Sequence, residues 1–390
     1  MTPTPTQTEV VDGLARRGRF RRAGRFVRRR LKLCAGLSVV VAFYTVAVFA
    51  DFLAPNDYRA QSRREPSAPA SVVRFRDAEG NFHARPFVYA RRLADPLQRR
   101  YAEDTSRRFP LTLFARGHTY KLFGLFKTDR HLVGVAADTT DARPPSSSSS
   151  NAPTSSSPAD VPRLHLLGTD GLGRDRFSRL LVASRFSLTV GPLGTLLACA
   201  LGVLVGCVSG YAGRAFDSAL MRVADTMLAL PTLVIVLAAR AAFPLELPPA
   251  RAVFLLVGIF VVIGWAEMAL VARALVMALR EREFVQAARA LGLSEARVLF
   301  RHILPNAARP LVVQTTLMLP AFLLTETAVS FLGVGVQEPE PSWGNMLAEA
   351  TDITLLARGG AWLLITPALA IFLFALGARV LGDGLRRDAG

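Results

Sequence analysis

The chain has 390 residues, 51% of them hydrophobic and 20% charged, with a mean hydropathy of +0.31. Several uninterrupted apolar runs at this composition exclude an ordinary soluble core and indicate a membrane protein. The formal net charge of +17 sits on arginines clustered beside apolar runs, a distribution that favours membrane topology signals over nucleic-acid binding. Cys34, Cys199 and Cys207 lie inside apolar stretches without CxxC or metal spacing, and their odd number excludes a complete disulfide framework.

Residues 1–32 form a basic N-terminal segment that includes Arg16, Arg17, Arg19 and Arg28 to Arg30. The apolar run over 33–54 is long for the core of a cleaved signal peptide, so it reads as a retained first span with a cytoplasmic N-terminus. Residues 55–143 read as a polar, extracytoplasmic, mostly β insertion, with mixed segments at Ser71–Phe75 and Arg85–Tyr89. Residues 144–162, PPSSSSSNAPTSSSPADVP, are a Ser/Pro-rich linker of a composition that cannot bury a core. The membrane core occupies 163–390. It opens on Gly168-Thr-Asp-Gly-Leu-Gly-Arg-Asp-Arg-Phe-Ser-Arg179, which lacks the lysine and the strand context of a phosphate loop. An interfacial turn is expected there, with Arg174, Arg176 and Arg179 meeting lipid headgroups.

Five further spans are expected near Ser187–Tyr211, Ser218–Ala242, Val253–Leu279, Leu311–Val334 and Gly360–Leu381. Gly202, Gly206 and Gly210 repeat at the spacing of close helix packing, and Pro192, Pro231, Pro320 and Pro367 permit kinks. Six spans place the C-terminus in the cytoplasm, and the arginines around 273–309 agree with a cytoplasmic loop there. That loop, Glu283–Asn306, is predicted to be helix, turn and helix. Phe284, Ala288 and Leu291 form one apolar stripe, and Ala296, Leu299, Phe300 and Ile303 a second. Gly292 caps the first helix, Ser294 starts the next and Pro305 ends it.

Asp225, Glu267 and Glu326 are acids within spans and hence candidates for a translocation path. Asp225 has Arg222 one turn before it, which favours local pairing. The five histidines, His83, His118, His131, His165 and His302, are scattered without HExxH spacing, and no serine lies in a GxSxG elbow, so neither metal nor catalytic set is expected.

Gln286-Ala287-Ala288, Gly292 and Ile303-Leu304-Pro305 together resemble the "EAA" loop of ABC-importer permeases. The element Gly168–Arg179, the segment Phe331-Leu-Gly-Val-Gly335 with Gln337 and Pro341-Ser-Trp-Gly344, and the closing Leu381-Gly-Asp-Gly-Leu-Arg386 resemble the second permease subunit of dipeptide, oligopeptide and nickel importers. The resemblance implies an all-α membrane protein with the six transmembrane helices of the type I (MetI-like) permease fold; the extracytoplasmic insertion between helices 1 and 2 is this chain's own, much longer than the family's usual outer loop. It implies a peptide importer subunit of the inner membrane, multi-pass, with both termini cytoplasmic and no cofactor of its own. ATP hydrolysis then falls to two cytoplasmic ATPase subunits, alongside a homologous permease, an extracytoplasmic solute-binding protein and membrane lipid. Coupling to the ATPase falls to Glu283, Gln286, Ala287, Ala288, Gly292, Arg297, Arg301, Leu304 and Pro305. Two alternatives stay open: a nickel or other small-solute permease of the same fold, and a membrane receptor or scaffold whose basic loop binds lipid.

Overall fold

The computed structural model describes residues 31–95, 99–122, 126–136, 162–211, 214–351 and 361–387. The basic block before Leu31 and the Ser/Pro-rich linker up to residue 161 lie outside the described residues.

Helix α1 (Leu31–Val48) runs into the short α2 (Ala50–Leu53), and a sheet follows. Its strands β1 (Arg74–Arg76), β2 (Phe82–Asp95), β3 (Arg100–Leu122) and β4 (Phe126–Val135) lie in the order β1-β2-β3-β4, every neighbour pair antiparallel. The 23-residue β3 serves two partners: its first half pairs with β2 and its second with β4. Val88, Phe109 and Leu164 make a small core of their own beneath it. The insertion is thus a β module within an otherwise helical chain, and the all-α expectation holds only outside it.

The helical part comprises α3 (Arg176–Tyr211), α4 (Arg214–Ala229), α5 (Thr232–Ala241), α6 (Pro249–Arg280), α7 (Glu283–Ala290), α8 (Glu295–Val298), α9 (Leu304–Phe331), α10 (Trp343–Glu349) and α11 (Ala361–Arg387). Among the described residues, five helices are long and apolar enough to cross a membrane, or six if α4 and α5 count as one span. The single span expected over Ser218–Ala242 is instead bent by 90° between α4 and α5. Pro231 explains the break, because its ring denies a hydrogen bond to the preceding turn and drives Leu230 out of helical geometry.

Helix α3, about 54 Å long at 1.5 Å per residue, connects the two ends of the bundle. Its glycines let α6 approach closely: a Cβ at Gly202 would lie 2.5 Å from the Trp265 carbonyl oxygen, and one at Gly206 would lie 2.4 Å from that of Ala269. Several apolar cores hold the bundle together. Phe186 and Val190 of α3 meet Leu256, Phe260 and Ile263 of α6 and Val329 of α9. Leu188, Leu323, Trp343 and Phe374 join α3, α9, α10 and α11.

Pro305 does not end a helix as expected. A π turn over Leu299–Ile303 leads from α8 directly into α9, so that Glu295–Phe331 is one long element. The wider turn takes up the missing N–H and the bulk of the proline ring at the start of α9.

Candidate functional site

The loop Glu283–Asn306 lies at the end of the bundle opposite the sheet. Tyr211, the last residue of α3, packs against it, whereas the first residue of α3 adjoins the segment that touches the insertion. Helix α7 closes in a left-handed cap at Gly292, whose φ is +78°. The Leu293 N–H donates to the Ala288 carbonyl at 3.3 Å and the Gly292 N–H to that of Arg289 at 2.9 Å, the paired bonds of a Schellman motif. Nothing lies within 4 Å of where a Gly292 Cβ would be, so glycine is required there by backbone conformation and not by crowding. Ser294 stands at the N-cap of α8 but makes no side-chain capping bond.

Val285, Ala288, Val298, Leu299 and Ile303 are buried against Cys207 and Val276. The buried stripe therefore differs from the expected one. Phe284 is 41% exposed, Leu291 81% and Phe300 59%, and all three lie on the outer side of the loop with Gln286, Ala287, Arg297, Arg301 and Pro305. Leu304 is half-buried. Arg289 is engaged within the loop, with both N–O contacts to Glu295 at 3.1 Å. Glu283 and Glu295 occupy the first turns of α7 and α8, where a negative charge complements the helix dipole. Burying a leucine or phenylalanine side chain contributes about 1.5–3 kcal/mol. Three such side chains left exposed on one short loop are uncovered apolar surface.

At the sheet end, Gly168–Arg179 forms a buried junction, and the expectation that its arginines meet headgroups is overturned. Arg174, Arg176 and Arg179 are 4%, 1% and 0% exposed. Arg174 Nε donates to Asp170 at 2.6 Å, and Arg174 also pairs with Glu338 and, at 3.2 Å, with Glu349. Arg179 donates to Glu338 at 2.9 Å and to Glu349 at 2.8 Å, and Arg176 to the Leu363 carbonyl at 2.8 Å. Buried cations need such partners, and here the acids come from the loop before α10 and from α10 itself. Burial raises Glu349, to about 7. For Glu338 burial acts the same way, but the Arg179 and Arg174 guanidiniums outweigh it and hold the carboxyl down.

Asp175 caps α3 by accepting from the Ser178 N–H at 2.9 Å and also accepts from His165 Nδ1 at 2.9 Å. The other ring nitrogen of His165 lies 3.3 Å from Glu65 of the insertion. Burial opposes a charge on His165, yet the Asp175 and Glu65 carboxylates prevail and push its pKa up to about 9. On the far side of the junction, Ser342 and Asn345 form a capping box for α10, and Trp343 is 1% exposed with its indole N–H donating to the Leu180 carbonyl at 3.3 Å. The Pro-Ser-Trp-Gly motif is accordingly a packing and capping device.

The three acids within spans have different surroundings. Glu326 is completely buried and accepts from the Ser330 hydroxyl at 2.8 Å, while its second oxygen has no partner. Glu267 of α6 is exposed and accepts from Gln314 of α9 at 2.9 Å. Asp225 is exposed on α4, and the expected Arg222–Asp225 pair is not formed. The acid that does pair in α4 is Asp217, held by two bonds of 2.5 and 2.6 Å from Arg273 of α6. Sequence reading missed it because its partner lies on another helix.

Residues 202–388 match the family described as binding-protein-dependent transport system inner membrane component. Among curated relatives, the chain is 36% identical over 222 residues to the dipeptide transport system permease protein DppC of Alkalihalophilus pseudofirmus, covering 57% of this chain and 70% of that one. It is 37% identical over 222 residues to the oligopeptide transport system permease protein OppC of Bacillus subtilis, with the same coverage of 57% and 70%. By these similarities, and with five membrane-length helices among the described residues, the chain belongs to the family of binding-protein-dependent transport system inner membrane components.

Proposed function

We propose that this chain is the transmembrane subunit of an ATP-driven importer that moves di- or oligopeptides across the inner membrane by alternating access. The names of the relatives supply the substrate class. In this reading α1, α3, α4–α5, α6, α8–α9 and α11 are six spans, residues 163–390 are the permease core, and the β module of residues 55–143 lies outside the membrane next to a solute-binding protein. Both termini are cytoplasmic. Arg280, Arg282, Arg297 and Arg301 around the loop support that orientation, since basic residues are enriched in cytoplasmic loops.

The observation that carries the proposal is the outward set Phe284, Leu291 and Phe300 beside Arg297 and Arg301 on a loop whose other face is packed. An apolar centre with an arginine rim fits a cleft on a separate ATPase subunit. Closure of two ATPases would then be transmitted through Gln286, Ala287, Ala288, Gly292, Leu304 and Pro305 into α9, which continues from the loop without a hinge. A bundle with two discrete packings converts that movement into inward and outward access. The exposed Glu267–Gln314 pair lies on a face that a homologous permease would cover, so Glu267 is assigned to the translocation path. Glu326 is assigned to its inner wall and Asp225 to the same surface near α4.

Co-purification tests the reading. Leu291→Glu and Phe300→Glu should each abolish recovery of the ATPase subunits with the tagged permease, while the permease itself still inserts and purifies. Full recovery of the ATPases with both variants would refute it.

A further inference from the structure

Between the segment Ser62–Glu65, strands β2 and β3 and the residues Pro162–Arg163 lies a cleft of about 960 Å³, within the size range of small-molecule sites. Its lining is charged. Arg63, Arg64, Arg91, Arg92, Arg107 and Arg163 face two acids, Glu65 and Asp104.

Both acids also have hydrogen-bond partners of their own. Glu65 lies 3.3 Å from His165. Asp104 accepts from the Ser106 N–H at 3.0 Å and from its hydroxyl at 2.5 Å. Arg91 is also used, donating to the Pro69 and Ala70 carbonyls. By contrast, Arg63, Arg64, Arg107 and Arg163 make no hydrogen bond or ion pair with any described residue, and all four are exposed at the cleft.

The backbone is shaped to present one of them. Tyr89 of β2 pairs with Arg108, but the next residue, Ala90, pairs with Asp104, so Thr105, Ser106 and Arg107 bulge out of β3. The Asp104 carboxylate braces that bulge through Ser106. Bulges re-aim side chains and recur beside functional sites, and this one carries Arg107 to the cleft. A concave wall on which six guanidiniums face two carboxylates keeps an excess of positive charge, which concentrates positive potential and suits planar, bidentate oxyanions.

We propose that this cleft is a binding site for a multivalent anion of the phosphate class, held chiefly by Arg63, Arg64, Arg107 and Arg163. The chemistry is shared by a free oligophosphate and by the headgroups of anionic phospholipid, and the site is separate from the coupling loop and from the intramembrane acids.

The test uses the full-length permease in neutral detergent and in nanodiscs, with inorganic tripolyphosphate as the probe in calorimetric titrations. Saturable one-to-one binding is expected in detergent, weakened at least tenfold by the double variant Arg107→Gln/Arg163→Gln. Binding should also fall steeply between 20 and 300 mM salt, as the Debye length shortens from roughly 20 Å to 6 Å. Thermal unfolding of the double variant in the absence of probe checks that the fold is retained. In nanodiscs of phosphatidylcholine the probe should bind as in detergent. Weakened binding in nanodiscs containing phosphatidylglycerol identifies the headgroup as the competing source, and unchanged binding identifies the free anion. Absence of saturable binding, or equal affinity in a folded double variant, overturns the proposal.

Discussion

Replacing His165 with glutamine isolates the charge that ties the insertion to the start of α3. The histidine is 2% exposed, and its pKa of about 9 reflects Asp175 and Glu65 prevailing over burial. A group whose folded pKa is raised contributes stability that is fully present below its unfolded value, near 6.5, and is lost as pH rises through the folded value. The difference of about 2.5 pH units corresponds to about 3 kcal/mol. Wild type should therefore exceed His165→Gln by about 3 kcal/mol at pH 6, and the gap should close toward zero by pH 10. Thermal unfolding of both purified proteins across this range, followed by tryptophan fluorescence, reads the gap directly. Taking the difference cancels the many other groups that titrate over the same interval. A gap of the same size at pH 6 and pH 10 would show that the side chain acts through packing alone and would refute the ion-pair account.

The glycines give two contrasting expectations. Gly292→Val should cost about 1–2 kcal/mol of loop conformation through the left-handed backbone alone, and Gly292→Asn much less, because asparagine tolerates that region. Peptide uptake by the reconstituted transporter should accordingly fall with Val and survive with Asn, and equal damage by both would contradict the conformational argument. Gly206→Leu should abolish recovery of monodisperse protein, since its Cβ would lie 2.4 Å from a carbonyl of α6, whereas Gly258→Ala, with nothing within 4 Å, should purify normally. Size-exclusion profiles of the two variants decide this.

The helices of the bundle were readable because a membrane span is a local property of twenty or so consecutive residues. So was the left-handed cap at Gly292, which depends on one residue and its immediate neighbours. The junction was not readable. Arg174 and Arg179 find Glu338 and Glu349 more than 150 residues along the chain, and an arginine beside an apolar run looks the same whether it faces lipid headgroups or a buried carboxylate. The Asp217–Arg273 pair was hidden for the same reason.

The loop shows a subtler limit. Periodicity identifies apolar residues at helical spacing but does not say which of two adjacent apolar residues turns inward. Val285 and Ala288 took the core, and Phe284 and Leu291 were left outside. The motif located the loop, but its outward apolar face emerged only from the packing. Pro305 departs from expectation because the rule that proline stops a helix assumes a proline in the interior, whereas here it stands in the first turn of α9 after a π turn.

The central claim is that this outward face meets an ATPase. A photo-activatable benzoylphenylalanine placed at Leu291 in the assembled transporter measures that contact without relying on loss of function. The account predicts a cross-linked species containing the ATPase subunit, absent when the same group replaces the buried Val298. Cross-linking of position 291 to lipid alone, in a complex from which the ATPase still co-purifies, would contradict it.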